Sequence, residues 1–170
     1  MPYIQLHMNY SYHKFKKEDS NDVFKIFLKF QEHTQIETFS NLTKGQSPGF
    51  TEIYLRQELK KMIQKNETYV GTCDGEIFGF ACFAESEFRS DALDLVIACK
   101  KPHKRFNLKM KYLLLNVFKE VKRETNKDLI LAALGPRSKF NSYKNFVIRV
   151  FKVKILRKNE LKRTIIQFND

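Results

Sequence analysis

The stretch DALDLVIACKKPHKRFNLKMKYLLL, residues 91–115, predicts a strand, a basic turn and the start of a helix. The segment 91–99 ends in an apolar run, which is typical of a central strand of a sheet. Pro102 then breaks the strand pattern among closely spaced Lys and Arg side chains. From Met110 onward, apolar side chains recur with helical spacing, so we predict an amphipathic helix with Asn107 as its N-cap. Its predicted buried face consists of Met110, Leu113, Leu114, Val117, Phe118 and Val121.

The rest of the chain predicts strands and helices in the overall order β-α-α-β-β-β-α-β-α-β-β. Asp74-Gly75 lies between two β-rich runs and predicts a hairpin with a tight turn. Before the hairpin we predict a strand at 10–15, a first helix, a loop at 35–48 and a second helix. The first helix is capped by Asp19 or Ser20 and carries Val23, Phe24, Phe27 and Leu28 on one face. The second helix is capped by Thr51 and carries Tyr54, Leu55, Leu59, Met62 and Ile63 on one face. Near the C-terminus we predict a strand at 128–134, a break at Gly135-Pro136, a helix at 142–151 and a closing strand pair at 152–156 and 163–168.

Length and composition favour a single globular domain over residues 1–170, because 42% hydrophobic and 14% aromatic residues suffice for a core. No run approaches the ~18 apolar residues of a membrane span, and the N-terminus lacks a signal-peptide pattern. Three cysteines without CxxC spacing favour buried free thiols in a reducing cytoplasm (Cys73, Cys82 and Cys99). The composition, with sixteen Phe, no Trp and many Lys and Asn residues, is typical of an AT-rich genome, such as that of a phage or a low-GC bacterium. For a phage protein, a virion-associated location is the alternative to the cytoplasm.

Charge is distributed unevenly along the chain. Residues 1–99 carry 11 Lys and Arg against 14 Asp and Glu, a net of −3, whereas residues 100–170 carry 20 against 5, a net of +15. A basic half of this kind predicts an anionic partner, such as a phosphorylated cofactor, a nucleic acid or an acidic protein. A merely solvated basic surface is the other interpretation.

Two motifs in the chain resemble those of the GNAT superfamily of N-acetyltransferases. The order of elements resembles that of the family over nearly the whole chain, from 10 to 168. The hairpin sequence YVGTCDGEIFGFA, residues 69–81, matches the family pattern VAxxDGxIVGFA. Pro102 and Arg105 match the family signature P-x-x-[RQ]-x-x-G-x-G/A, and Leu113-Leu114 match its leucine pair. The chain is thereby identified as a divergent member, with a phage-like composition. The resemblance implies an α/β (α+β) fold, with a mixed central sheet of about six to seven strands flanked by about four helices.

The resemblance also implies acetyl-CoA as cofactor, with no metal. In the family, backbone groups at the end of the central strand pair with the pantetheine arm, and the following turn and helix start hold the pyrophosphate. The corresponding residues here are Ala98, Cys99, Lys100, Arg105, Phe106, Asn107, Leu108, Lys109, Met110 and Lys111. Leu108 and Met110 stand at the two glycine positions. Either the neighbouring lysines replace the glycines in binding phosphate, or the cofactor site has decayed.

For catalysis, the resemblance places Asp94 where family members often carry an acidic residue that accepts a proton from the amine. Phe146 stands where the family has a proton-donating Tyr, and Tyr143, one turn away, is the candidate substitute. Solvated or structural roles for both Asp94 and Tyr143 are the alternative. The four histidines lack metal-ligand spacing, and His103, inside the motif turn, is either a phosphate contact or an exposed loop residue.

Two functions remain open from the sequence. The first is an acetyl-CoA-dependent N-acetyltransferase that acts by direct transfer on an amine of a small molecule or protein. The second is a catalytically inactive protein of the same fold, for example a virion or assembly component, whose basic face at 100–170 binds an acidic protein or a nucleic acid. The closing strand pair offers an exposed edge for oligomerisation. The acceptor amine cannot be read from the sequence.

Overall fold

The structure, a computed structural model, describes residues 9–34, 48–87, 89–103, 105–134, 153–158 and 164–168. This part of the chain contains the helices α1 (Ser20–Thr34), α2 (Pro48–Lys65) and α3 (Arg105–Thr125). Its strands are β1 (Tyr10–Lys14), β2 (Glu67–Cys73), β3 (Glu76–Glu85), β4 (Ala92–Lys100), β5 (Leu129–Leu134), β6 (Val153–Lys158) and β7 (Thr164–Phe168). The predicted loop at 35–48 lies outside the described residues except for Pro48, which belongs to α2. The predicted break at Gly135-Pro136 and the predicted helix at 142–151 also lie outside them.

All seven strands form one mixed sheet in the order β1-β2-β3-β4-β5-β7-β6. Only the β4–β5 pair is parallel, and the other neighbouring strands are antiparallel. The predicted mixed sheet of six to seven strands is confirmed, and β4 occupies the predicted central position. The predicted strand boundaries differ from the observed ones by one or two residues.

Helices cover both faces of the sheet, and each face has its own core. α3 packs on one face, and all six side chains predicted for its buried stripe are buried. α1 and α2 pack on the other face, where Val23, Phe24 and Phe27 are buried as predicted. Strand alternation separates the two cores: Tyr69 packs on the α3 side and its neighbour Val70 on the α1–α2 side.

The hairpin between β2 and β3 turns at Asp74 and Gly75, as predicted. Asp74 has φ 51° and Gly75 has φ 80°, the left-handed values that a tight two-residue hairpin turn requires at both central positions. The three cysteines are buried and form no disulfide bonds, as predicted.

Three predicted details of the first two helices are wrong. α2 begins at Pro48, a residue favoured at a first helical position, so Thr51 lies inside the helix instead of capping it. Tyr54 is 46% exposed, because it lies ~100° around the helix from buried Leu55. Ser20, predicted as an alternative N-cap to Asp19, is already the first residue of α1, and the Asp19 Oδ2 accepts a hydrogen bond from the Lys16 N–H of the preceding 3₁₀ turn at 2.8 Å.

Candidate functional site

The parallel strands β4 and β5 are paired only near their N-terminal ends. Their register runs from Ala92 opposite Leu129 to Asp94 opposite Leu131. β4 continues to Lys100 and β5 continues to residue 134, and no further pairs join these described strands. The strands therefore diverge. Backbone N–H and C=O groups of β4 that face β5 beyond Asp94 have no strand partner on that side and are available to a ligand.

A β-bulge at Val96 lies where the two strands diverge. On the other side of β4, Leu95 pairs with Phe83 and Ile97 pairs with Cys82, so Val96 is the extra residue. Val96 is 45% exposed although its strand is central. Because a bulge bends its strand and increases the local twist, it accounts for the separation of β4 from β5.

The first turn of α3 lies next to the C-terminal end of β4, and it is capped by His103. Nδ1 of His103 accepts a hydrogen bond from the Arg105 N–H at 3.1 Å, and the His103 carbonyl accepts one from the Phe106 N–H at 3.0 Å. The predicted N-cap, Asn107, is wrong, because α3 already begins at Arg105. Histidine is not among the residue types preferred at helix N-caps, so the sequence did not indicate His103 as the cap.

The two residues at the family's glycine positions have different environments. Leu108 is 56% exposed, whereas Met110 is 6% exposed and belongs to the core beneath α3. A Cβ added to Gly79 of β3 would lie 2.7 Å from the Cys99 carbonyl oxygen and 3.1 Å from the Met110 Sδ. The absence of a side chain at Gly79 therefore makes room for Met110 against the sheet.

Phe106 contributes its side chain to the core and leaves only backbone groups for a ligand. Its ring is parallel to that of Phe78, with centroids 5.9 Å apart, and it is almost fully buried. The Arg105 guanidinium lies over the same ring, 4.6 Å from the centroid. This cation–π contact holds the exposed Arg105 close to the start of the helix.

One flank of α3 faces the β1–β2 half of the sheet. Lys109 lies on this flank, where its Nζ is 2.9 Å from the Cys73 Sγ and 5.3 Å from the centroid of the Phe106 ring. The sequence grouped Lys109 and Lys111 together as phosphate ligands, but the structure directs the amino group of Lys109 away from β5.

The other flank of α3 faces the β5–β7 half of the sheet. Phe118 lies there, with its ring centroid 4.9 Å from that of Phe168 on β7. Asn107 and Lys111 precede Phe118 by eleven and seven residues, so helical spacing places them on this same flank. Lys111 is therefore the α3 lysine on the side of the β4–β5 opening.

Positive charge collects where β4 ends and α3 begins. Lys100 is half-buried, its Nζ donates to the Lys101 carbonyl at 3.4 Å, and burial lowers the pKa of its amino group. Lys101 pairs with Glu76 of β3, and this contact holds the pKa of Glu76 below its usual value. Lys100 has no such carboxylate contact among the described residues, so its charge remains available to an anion.

Asp94 is the last β4 residue that pairs with β5. Its Oδ1 is buried without a hydrogen-bond partner in the described part of the chain, and its Oδ2 accepts from the Glu87 N–H at 3.4 Å. Burial raises the pKa of this carboxyl group. Hydrogen bonds from the Ser86 side chain and the Glu87 N–H lower the pKa and only partly offset the effect of burial. A carboxylate with a raised pKa is a stronger base than an ordinary Asp.

The other predicted site residues on β4 offer only their backbone. The side chain of Ala98 packs in the α3 core and that of Cys99 in the α1–α2 core. Complete burial raises the pKa of the Cys99 thiol well above its usual value, which makes it a poor nucleophile. Tyr143 lies outside the described residues.

An open depression of about 600 Å³ lies at the opposite end of the sheet from the β4–β5 opening. None of the predicted site residues lines it. It is formed by Gln64, Lys65, Asn66, Glu67, Phe83, Ala84, Glu85, Leu93 and Thr125.

Among the described residues, no group of three or more His, Cys, Asp or Glu side chains is arranged to hold a metal ion. No helix in the described ranges has the length and apolar character needed to cross a bilayer.

Comparison with solved structures identifies the fold. The chain is similar to aminoglycoside 6′-acetyltransferase type Ii (TM-score 0.64, 13% identity, covering 94% of this chain and 96% of that one). It is also similar to an acetyltransferase of the GNAT family from Staphylococcus aureus Mu50 (TM-score 0.63, 14% identity, 94% and 98% covered). A third similar structure is PaiA N-acetyltransferase from Thermoplasma acidophilum in complex with coenzyme A (TM-score 0.59, 14% identity, 94% and 98% covered).

No protein-family model and no curated protein matches the sequence. Identities of 13–14% establish shared architecture and leave activity and substrate to be argued from the site. The TM-scores of 0.59–0.64 over at least 94% of the chain show that its seven-stranded mixed sheet and three described helices match these structures. The protein therefore has the fold of the GNAT-family acetyltransferases.

Proposed function

We propose that the protein is an acetyl-CoA-dependent N-acetyltransferase, and that residues 1–170 form one GNAT-like domain. The observation that carries the proposal is the opening between β4 and β5 beside the first turn of α3. Unpaired backbone groups in the middle of a sheet require a ligand or water as partner. A similar structure was solved with coenzyme A, which supports this ligand for the opening.

The residues around the opening fit such a ligand. The β5-facing backbone between Leu95 and Lys100 can pair with the amide groups of a pantetheine arm. The start of α3 carries the positive end of the helix dipole, which favours a pyrophosphate there. Lys100, Arg105 and Lys111 add positive charge around it. In this proposal the lysines on the β5 side compensate for the absence of the two glycines.

Acetyl-CoA supplies a thioester whose carbonyl carbon is the electrophile for the amine. Asp94 accepts the proton that the amine loses, and its buried position at the divergence of β4 and β5 makes it the base. Tyr143 is retained as the proton donor to the departing sulfur. With two such groups, most of the rate enhancement comes from positioning the amine against the acyl carbon. The acceptor is an amine of a small molecule or of a protein.

The alternative, an inactive protein that binds an acidic macromolecule through its basic half, gains no specific contact from the described residues. Much of the region 100–170 lies outside them. The alternative therefore stays a hypothesis from charge alone. A phage origin, an oligomeric state and a cytoplasmic location also stay hypotheses from the sequence.

Hydrogen–deuterium exchange with and without saturating acetyl-CoA tests the proposal at the residues that carry it. We expect amides in 95–100 and in the first turn of α3 to become protected. The edge strand β6 serves as an internal control, because it lies at the far end of the sheet and should be unaffected. Unchanged exchange at 95–100 while acetyl-CoA is in excess would contradict the proposal.

A further inference from the structure

The first backbone N–H groups of α3 are already occupied by the protein itself. The first turn of a helix has N–H groups without intrahelical partners, and these are the groups that bind anions. Here His103 takes two of them, the Arg105 N–H through its ring Nδ1 at 3.1 Å and the Phe106 N–H through its carbonyl at 3.0 Å. A phosphate group at the start of α3 therefore competes with His103.

The two contacts differ in how easily they can be broken. The His103 carbonyl belongs to a turn fixed on both sides, because the His103 N–H donates to the Lys101 carbonyl at 2.8 Å. The ring is exposed, and its one aromatic contact in the described structure is edge-on to Phe106, with centroids 6.3 Å apart. Rotation of the exposed ring is enough to free the Arg105 N–H, whereas the carbonyl contact needs the turn to move.

We infer that the His103 ring is a gate on the phosphate-binding end of the site, which must leave the Arg105 N–H before a pyrophosphate can use that group. This inference rests on the proposed function, since it concerns the same cofactor. His103 is a positioning residue in this role, because it acts through the backbone of Arg105 and does not touch the reacting atoms. Because the His103 ring occupies the Arg105 N–H, it lowers the affinity of the protein for acetyl-CoA.

The contact depends on which ring nitrogen carries the proton. A neutral imidazole accepts at Nδ1 only when its proton is on Nε2, and an imidazolium cannot accept at either nitrogen. Among the described residues, the charged groups around the turn are Lys101 just after β4, Glu76 on β3, and Arg105 and Lys109 on α3. A ring without an acceptor at Nδ1 leaves the Arg105 N–H to the phosphate.

Isothermal titration of acetyl-CoA into wild-type protein, His103→Ala and His103→Phe tests the gate. Both variants remove the acceptor nitrogen, and His103→Phe keeps an aromatic ring next to Phe106. Both should bind acetyl-CoA about fivefold more tightly than wild type, the size of one neutral hydrogen bond. His13→Ala serves as a control, since His13 lies on β1 and pairs with Asp19 of the following 3₁₀ turn and not with α3.

The same titrations distinguish a failure of the gate from a failure of the proposed function. Weaker or unchanged binding by both variants would overturn the gate. If His103→Ala loses the helix start, seen as faster exchange throughout α3, the affinity of the milder His103→Phe decides. Absence of binding by wild type and every variant would instead overturn the proposed function, on which the gate depends.

Discussion

At the scale of single residues, Asp94 shows how position determines chemistry. The sequence shows only a carboxylate in an otherwise apolar strand, whereas the structure places it at the last β4–β5 pair with one oxygen buried and unpartnered. Its pKa is raised by burial. A buried carboxyl group that prefers its proton stabilises the folded state below its unfolded pKa. That contribution is lost as the pH rises through the folded pKa, where ionisation in the buried site becomes unfavourable.

Replacing Asp94 by Asn should therefore separate stability from activity. We expect the melting temperature to rise at pH 8 and to change little at pH 4, because the charge that Asn removes is present only at the higher pH. Acceptor-dependent release of coenzyme A should fall by about 10²–10⁴, the usual contribution of a general base. Asp128→Asn is the matched control, since Asp128 is exposed and its described contact, a bond from its N–H to the Asp91 carbonyl, uses its backbone. Undiminished turnover in Asp94→Asn would remove Asp94 as the base.

The two residues at the glycine positions should respond differently to truncation. Met110→Ala removes a buried side chain from the core and should lower the free energy of unfolding by about 2–5 kcal/mol. Leu108→Ala, at an exposed position on the same helix, should stay within about 0.5 kcal/mol of wild type. Urea unfolding monitored by circular dichroism measures both. Equal losses would show that Leu108 also packs against the protein.

At the scale of elements, the sequence predicted α3 and β4 well and the details at their junction poorly. The six side chains of the α3 stripe were predicted because burial follows helical periodicity. The His103 cap was missed because it depends on the orientation of one ring. The opposite directions of Lys109 and Lys111 were missed because they depend on how the helix lies on the sheet. The bulge at Val96 leaves no signal in an apolar strand, because it becomes visible only against the register with β3.

Deletion of Val96 tests whether the bulge creates the opening. Leu95 packs towards the α3 core, and Ile97 and Cys99 pack towards the α1–α2 core. Removing the extra residue between Leu95 and Ile97 therefore leaves both faces of β4 and the pairing with β3 unchanged. We expect a folded protein by circular dichroism with little or no affinity for acetyl-CoA in calorimetry. A deletion variant that is folded and binds acetyl-CoA as tightly as wild type would show that the strands diverge for another reason.

At the scale of the whole molecule, element order carried the prediction of the fold. Hydrophobic periodicities of two and 3.6 residues, together with the turn signals, determined the sequence of strands and helices. The mixed sheet flanked by helices was implied by the resemblance of that order and of two motifs to the GNAT superfamily. The acceptor specificity could not be predicted, because no residue pattern in the sequence identifies an acceptor amine. The net charge of +12 is a property of the whole chain, and its long-range field attracts any anion without identifying it.

Isothermal titration of acetyl-CoA into the wild-type protein at moderate salt tests the central claim most directly, with Lys111→Glu and Lys109→Glu measured alongside. The two variants change the net charge equally, but Lys111 lies on the β5 flank of α3 and Lys109 contacts Cys73 on the other flank. We predict one-to-one binding in the micromolar range, weakened about tenfold or more by Lys111→Glu and much less by Lys109→Glu. No binding of millimolar acetyl-CoA to the folded wild-type protein would contradict the account.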